Sequence, residues 1–168
     1  NDTPALAIRE WRTLLRDFPV CSLAPNAQLR LGLLQKRLGN AAWALSELSN
    51  VAKMPREAVD PAGNPLAPQA LLAMGETQFE LMGDRYSARQ TLEGVSSSYA
   101  DAVLKGPEEG EDWSPSALAK YILARINIEA GEPGTGVVAL ESLAVQKGPN
   151  GFYSEALAGD IRAEARLM

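Results

Sequence analysis

Three short glycine motifs divide much of this chain into pairs of helices. A glycine followed by a polar residue recurs at Gly39-Asn40, Gly83-Asp84 and Gly131-Glu132. Each motif separates two amphipathic stretches, which run over residues 27–38 and 41–52, 68–82 and 85–97, and 115–130 and 135–146. Glycine readily adopts the left-handed conformation that ends a helix, and the side chains of Asn40 and Asp84 can cap the helix that follows. The sequence therefore predicts three helix–turn–helix units.

Composition agrees with a helical fold and removes several kinds of chemistry. The 168 residues include 26 alanines and 23 leucines, but valine and isoleucine together number only 13, a balance that favours helix over strand. These residues include no histidine. A Ser-His or Cys-His nucleophile, a histidine general base and a histidine metal site are therefore excluded within this chain. We expect no catalysis, no cofactor and no bound metal.

A common spacing marks the second helix of each unit. A small residue is followed four positions later by a large apolar residue, and three positions further on by another apolar residue. The copies are Ala44, Leu48 and Val51; Ala88, Leu92 and Val95; Gly136, Leu140 and Leu143; and, in the opening segment, Ala7, Trp11 and Leu14. Residues with this spacing share one helix face, where the small residue lets a neighbouring helix approach and the large residues fill the groove beside it.

These features resemble the tetratricopeptide repeat family, whose first helix carries a Leu-Gly pair and whose second helix carries the small–large–apolar spacing. Leu31-Gly32 matches that pair, and Pro19 matches the proline that closes a repeat. The resemblance implies an all-α fold, a right-handed α-solenoid of about eight helices. The predicted parts are a half-repeat at 3–19, repeats at 24–56, 66–99 and 114–148, and a half-repeat at 152–168. An array cut at both ends in this way predicts a fragment of a longer chain.

The stretch from Leu14 to Gly32 narrows the resemblance. The first helix ends in Asp17-Phe18-Pro19, a short link follows, and the next helix carries Ala-x-x-x-Leu-Gly from Ala27. This order is similar to that of bacterial cell-envelope tetratricopeptide proteins, which include outer-membrane-assembly lipoproteins, cell-division coordinators and translocon-associated proteins. It implies a periplasmic or cell-envelope location, with a cytoplasmic one left open.

In this family the first helices line the concave face of the solenoid and bind protein or peptide segments there. The resemblance assigns partner binding to Asn26, Arg30, Leu33, Lys36, Arg37, Thr77, Tyr121 and Arg125. The predicted function is a non-catalytic protein–protein interaction scaffold. The alternative is a self-association module, in which the open ends or the apolar groove contact a second copy.

One subtype of peptide binding is not expected. Family members that hold a peptide carboxylate place cationic and amide side chains at inner positions, since a carboxylate needs such donors. The matching residues here are apolar: Leu29, Leu33, Met74, Leu118 and Ile122. The groove is therefore expected to take an apolar or amphipathic segment.

Charge and hydropathy limit the remaining partners. The formal net charge of −5 argues against broad nucleic-acid binding, which needs clustered basic residues. The acidic run from Glu108 to Asp112 lacks the spacing of a calcium loop, and we interpret it as a solvated loop. Cys21 is the single cysteine, so no intramolecular disulfide is expected, and no apolar run reaches the ~18 residues of a membrane span.

Overall fold

Helices make up the regular structure of the described chain. The structure is a computed structural model that describes residues 3–106 and 112–145. Within these ranges it contains no β-strand. It contains seven α-helices: α1 (Thr3–Asp17), α2 (Ala24–Arg37), α3 (Ala41–Ala52), α4 (Leu66–Glu76), α5 (Arg85–Ser98), α6 (Pro115–Glu129) and α7 (Pro133–Val145). A π-helical turn, Thr77–Leu81, continues α4. The predicted all-α class is confirmed, while the predicted half-repeat at 152–168 lies outside the described residues.

The three glycine motifs separate helices as predicted. Gly39, Gly83 and Gly131 have φ angles of 75°, 66° and 88°, in the left-handed region where residues with a side chain are strained. Each of these glycines therefore fixes the end of one helix and the start of the next within two residues.

The two predicted helix caps have different outcomes. The Asp84 side chain accepts a hydrogen bond from the Ser87 backbone N–H at 3.0 Å, so this cap is confirmed. The cap predicted for Asn40 is wrong, because its side chain makes no hydrogen bond to the start of α3. Its Nδ2 instead donates to Oε1 of the buried Gln35 at 2.8 Å, which ties the turn back to α2.

The chain divides into two compact units, with the boundary between Gly83 and Asp84. In the first unit α2 packs against α1, α3 and α4, and α3 also packs against the π-helical turn. In the second unit α6 packs against both α5 and α7. The boundary falls inside the predicted repeat at 66–99, so the two helices of that repeat belong to different units.

The core of the first unit forms around the second helix of the first predicted repeat. Ala44, Leu48 and Val51 on α3 are fully buried, as their spacing predicted. They pack with further buried residues, Leu29, Leu66, Ala70 and Ala73. A Cβ atom at Gly32 would lie only 2.8 Å from Leu48 Cδ2, so the glycine of the Leu-Gly pair lets α2 and α3 approach closely.

The second unit repeats this arrangement. Its buried positions include the two predicted triplets, Ala88, Leu92 and Val95 on α5 and Gly136, Leu140 and Leu143 on α7. The last two leucines pack with Ala117 and Ala124 of α6. A Cβ atom at Gly136 would lie 2.8 Å from the Ala124 carbonyl oxygen, which confirms that this position must be small.

The copy of the spacing on α1 is only half-buried. Ala7, Trp11 and Leu14 are all partly exposed, and the helix has no fully buried residue. Helix α1 packs on α2, but the described structure leaves the three residues of this spacing partly uncovered.

Candidate functional site

Four of the predicted partner-binding residues form one row along α2. Asn26, Arg30, Leu33 and Arg37 lie within about 60° around the helix axis and span about 16 Å along it. Arg30 and Arg37 are exposed, Asn26 is half-buried, and Leu33 is half-buried against the core of the first unit. The described residues provide no ion-pair partner for either arginine. We call these four residues the α2 row.

Lys36 is occupied by the fold. Its Nζ forms an ion pair with Glu76 of α4 and lies 4.0 Å from Oε2 of Glu80 in the π-helical turn. The side chains of Lys36 and Glu76 are mostly buried, 20% and 25% exposed. Lys36 therefore braces α2 against α4, and its charge is less available to a partner than those of Arg30 and Arg37.

The exposure predicted for Thr77 is wrong. Thr77 is fully buried at the end of α4, and its hydroxyl donates to the Ala73 carbonyl oxygen at 2.6 Å. Because this bond satisfies the hydroxyl within its own helix, the side chain can occupy the core like a small apolar residue. Thr77 is therefore not part of a contact surface in this structure.

Tyr121 and Arg125 lie together on α6 in the second unit. The Arg125 guanidinium carbon is 5.9 Å from the centre of the Tyr121 ring, a cation–π arrangement between residues one turn apart. Tyr121 is half-buried and packs against the core of this unit. The pair offers a partner a small mixed aromatic and cationic patch.

The predicted apolar groove is divided between core and surface. Leu29 and Ile122 are buried in the cores of their units, so they do not line an open groove. Leu33, Met74 and Leu118 are half-buried and can contribute apolar area. The prediction that a partner segment is apolar thus depends on fewer side chains than the sequence suggested.

A cleft opens at the N-terminal end of the α2 row. It has a volume of about 430 Å³ and is lined by the link before α2, the first turn of α2 and the loop after α3. The lining residues are Ser22, Leu23, Pro25, Asn26, Glu57, Ala58, Val59, Asp60 and Pro61. Only Asn26 was predicted among them, and we call this feature the edge cleft.

The Asp60 carboxylate accepts most of the side-chain hydrogen bonds in the loop that forms one wall of the edge cleft. Asp60 Oδ1 accepts hydrogen bonds from the backbone N–H groups of Ala62 and Asn64, both at 2.9 Å. Asp60 Oδ2 accepts from Nδ2 of Asn64 at 3.2 Å and from Nε2 of Gln69 at 3.3 Å. The Leu66 N–H donates to the Ala58 carbonyl at 3.0 Å, so the loop closes on itself.

The order of this loop is expected to depend on pH. Partial burial alone would raise the pKa of Asp60, but the bonds from Asn64, Gln69 and Ala62 outweigh it and hold the pKa below its ordinary value of 3.8. Because the folded-state pKa is depressed, this stabilisation is complete above pH 3.8 and is lost as the pH falls through the folded-state pKa. The backbone amides of Asn64 and Leu66 should therefore lose their protection from hydrogen exchange as the pH falls below the folded-state pKa of Asp60.

Asp60→Asn tests the same loop at neutral pH. It replaces one acceptor oxygen with an NH2 group that faces two donors, so exchange at Asn64 and Leu66 should become about tenfold faster, equivalent to about 1.4 kcal/mol. Glu57→Gln, at an exposed position in the same loop, is the matched control and should leave the exchange unchanged. Equal exchange rates in the two variants would contradict the role assigned to Asp60.

Several exposed apolar side chains in the first unit were not predicted. Val20 is 97% exposed and Phe18 is 62% exposed in the link between α1 and α2. Trp43 on α3 is 58% exposed. The Arg12 guanidinium carbon lies 5.2 Å from the centre of a Trp43 ring. In the sequence, the aromatic residue of Asp17-Phe18-Pro19 is the one local feature that could have indicated an exposed apolar side chain in this link.

Metal and membrane sites are not found among the described residues. Within residues 3–106 and 112–145, no group of three or more acidic or cysteine side chains could hold a metal ion. In the same ranges no helix is both long and apolar enough to cross a bilayer. Most of the acidic run, residues 108–111, lies outside the described residues, whereas Asp112 is exposed and Cys21 is half-buried.

Comparisons with known proteins add no relative. No protein-family model, curated protein or solved structure matches this chain. The resemblance to tetratricopeptide repeats therefore stays a prediction from the sequence motifs.

Proposed function

We propose that this chain is a non-catalytic interaction scaffold of the tetratricopeptide type, which binds a protein or peptide segment of a bacterial envelope complex. The observation that carries the proposal is the α2 row. Two exposed arginines, for which the described residues provide no ion-pair partner, flank the half-buried Leu33 on a helix that packs against three others. Arginine and apolar side chains on a rigid element suit protein recognition, because a rigid element loses little conformational freedom on binding.

The packing inside each unit supports the same proposal. Buried small residues, Gly32, Ala44 and Gly136, let helices approach closely, and leucines fill the space beside them. Such repeated contacts are typical of helical repeat proteins, in which neighbouring helices hold a binding surface in place. The right-handed solenoid, with the first helices on its concave face, is the arrangement we propose for these helices.

Site-specific photo-crosslinking in envelope extracts tests the proposal. Benzoylphenylalanine in place of the exposed Leu38, next to Arg37, should form a covalent adduct with a partner protein. The double variant Arg30→Glu and Arg37→Glu should reduce the adduct yield at least fivefold, because it reverses the charge of the α2 row. The matched control is Lys53→Glu with Lys120→Glu, which makes the same change in net charge at exposed positions outside the row. No adduct, or equal loss in both variants, would overturn the proposal.

Self-association is the second candidate, favoured by the exposed apolar residues Phe18, Val20 and Trp43. Large apolar side chains that are exposed to solvent are candidates for contacts between proteins. Sedimentation velocity of the full chain should then show a dimer. The double variant Val20→Ser and Trp43→Ser should reduce the fraction of dimer. A monomer at all concentrations up to the millimolar range would remove this candidate.

A further inference from the structure

The edge cleft combines an apolar wall with negative charge. Leu23 and Val59 are 56% and 45% exposed, and both line the cleft. The charged lining residues are Glu57 and Asp60, and no lysine or arginine is among them. The cleft is therefore complementary to a group that carries apolar area and a positive charge.

The wall of the cleft is ordered before any partner binds. Asp60 accepts four hydrogen bonds, and a turn closes between Asp60 and Gly63, whose N–H donates to the Asp60 carbonyl at 2.9 Å. Binding to a preformed surface loses less conformational freedom than binding to a disordered loop. Glu57, in contrast, is exposed, and the described residues give it no ion pair.

Two details at the start of α2 favour a polypeptide with a cation over an anion. The Ala24 N–H already donates to the Cys21 carbonyl at 3.0 Å, and Pro25 has no N–H, so the first turn offers few free donors. Asn26 lines the cleft, and its side-chain amide makes no hydrogen bond to another described residue. An amide can both donate to and accept from an extended peptide backbone.

We infer that the edge cleft binds a short extended segment of a partner protein that carries a lysine or arginine beside a large apolar residue. The apolar side chain covers Leu23 and Val59, and the cation lies toward Glu57 and Asp60. A volume of about 430 Å³ suits side chains of this size. The inference rests on the proposed function for the existence of a protein partner, but it assigns a surface at the edge of the helices that is separate from most of the α2 row.

Nuclear magnetic resonance with defined peptides tests the inference. The probe is an octapeptide of glycine and serine with a central arginine–leucine pair, added to the ¹⁵N-labelled full chain. We expect amide shifts at Ser22, Leu23, Asn26, Glu57 and Val59. Peptides with glutamate in place of arginine, or serine in place of leucine, should bind at least fivefold more weakly. Raising the salt concentration should weaken the binding of the arginine–leucine peptide, because part of its attraction to the cleft is ionic.

Variants of the cleft complete the test. Glu57→Gln and Val59→Ser should each reduce the affinity for the arginine–leucine peptide at least threefold. Glu93→Gln, at an exposed position on α5, should leave this affinity unchanged. The absence of shifts at millimolar peptide, equal binding of the glutamate peptide, or shifts confined to other surfaces would each overturn the inference. A crosslinked adduct at the α2 row without peptide binding would overturn the inference for the edge cleft and leave the proposed function. Peptide binding without an adduct would overturn the proposed function at the α2 row and leave the edge cleft.

Discussion

Leu48→Ala is expected to reduce the free energy of unfolding of the first unit by about 3 kcal/mol, because it removes a large side chain from a fully enclosed position. Leu48 has no exposed surface and packs against the backbone of Gly32 and the side chains of the surrounding core. The surrounding helices cannot close the gap fully, so the loss includes both the burial of the leucine and the cavity left behind. Amides of α2 and α3 that exchange through global opening should exchange about 100-fold faster, since about 1.4 kcal/mol corresponds to a tenfold change.

The matched control is Leu6→Ala on α1. Leu6 is an exposed leucine in a helix of the same unit, so its truncation should change the free energy of unfolding by about 0.5 kcal/mol or less. Similar changes for the two variants would mean that the first unit does not have the core described above.

The sequence was a good guide to the helices because their limits are local. The left-handed conformation of Gly39 limits where α2 can end and where α3 can begin. Helix α3 covers residues 41–52 as predicted. The small–large–apolar spacing likewise places Leu48 and Leu92 on the buried face of their helices. Both predictions depend only on residues within a few positions of one another.

The extent of burial could not be predicted in the same way. Helical spacing shows which side chains share a face, but the element that covers the face lies elsewhere in the chain. Ala7, Trp11 and Leu14 are therefore only half-covered, although they have the same spacing as the buried triplets. Thr77 fails in the opposite direction, because the hydrogen bond to its own helix removes the usual penalty for burying a hydroxyl.

The candidate site also contains features that depend on local sequence and features that depend on long-range contacts. Asn26, Arg30, Leu33 and Arg37 were predicted from the family resemblance, and the helical period alone places them in one row. The ion pair of Lys36 with Glu76 joins residues 40 positions apart, and no local pattern indicates it.

The edge cleft gave only a partial signal. Asp60, Pro61 and Gly63 follow the residue preferences of a type I turn, so the turn itself has a local signal in the sequence. That this turn lies against the start of α2 is a tertiary contact, which the turn sequence does not encode.

Gly136→Ala is expected to destabilise the second unit by about 2 kcal/mol, although alanine normally stabilises a helix relative to glycine. The added Cβ atom would overlap with Ile128 Cγ1 and would lie 2.8 Å from the Ala124 carbonyl oxygen. The isoleucine side chain can rotate away, but the carbonyl oxygen belongs to the backbone of α6 and cannot move without separating α6 from α7. In a unit of this size the melting temperature should fall by about 10 °C.

Gly134→Ala is the matched control for this prediction. Gly134 lies two residues earlier in α7, has no atom within 4 Å of its added Cβ, and has no positive φ angle. Alanine there should therefore leave stability unchanged or raise it by about 0.5 kcal/mol, through the lower flexibility of the unfolded chain. Since both substitutions add one methyl group to the same helix, an opposite sign of their effects isolates the contact between α6 and α7. A stabilising effect of Gly136→Ala would show that α7 does not pack on α6 through this glycine.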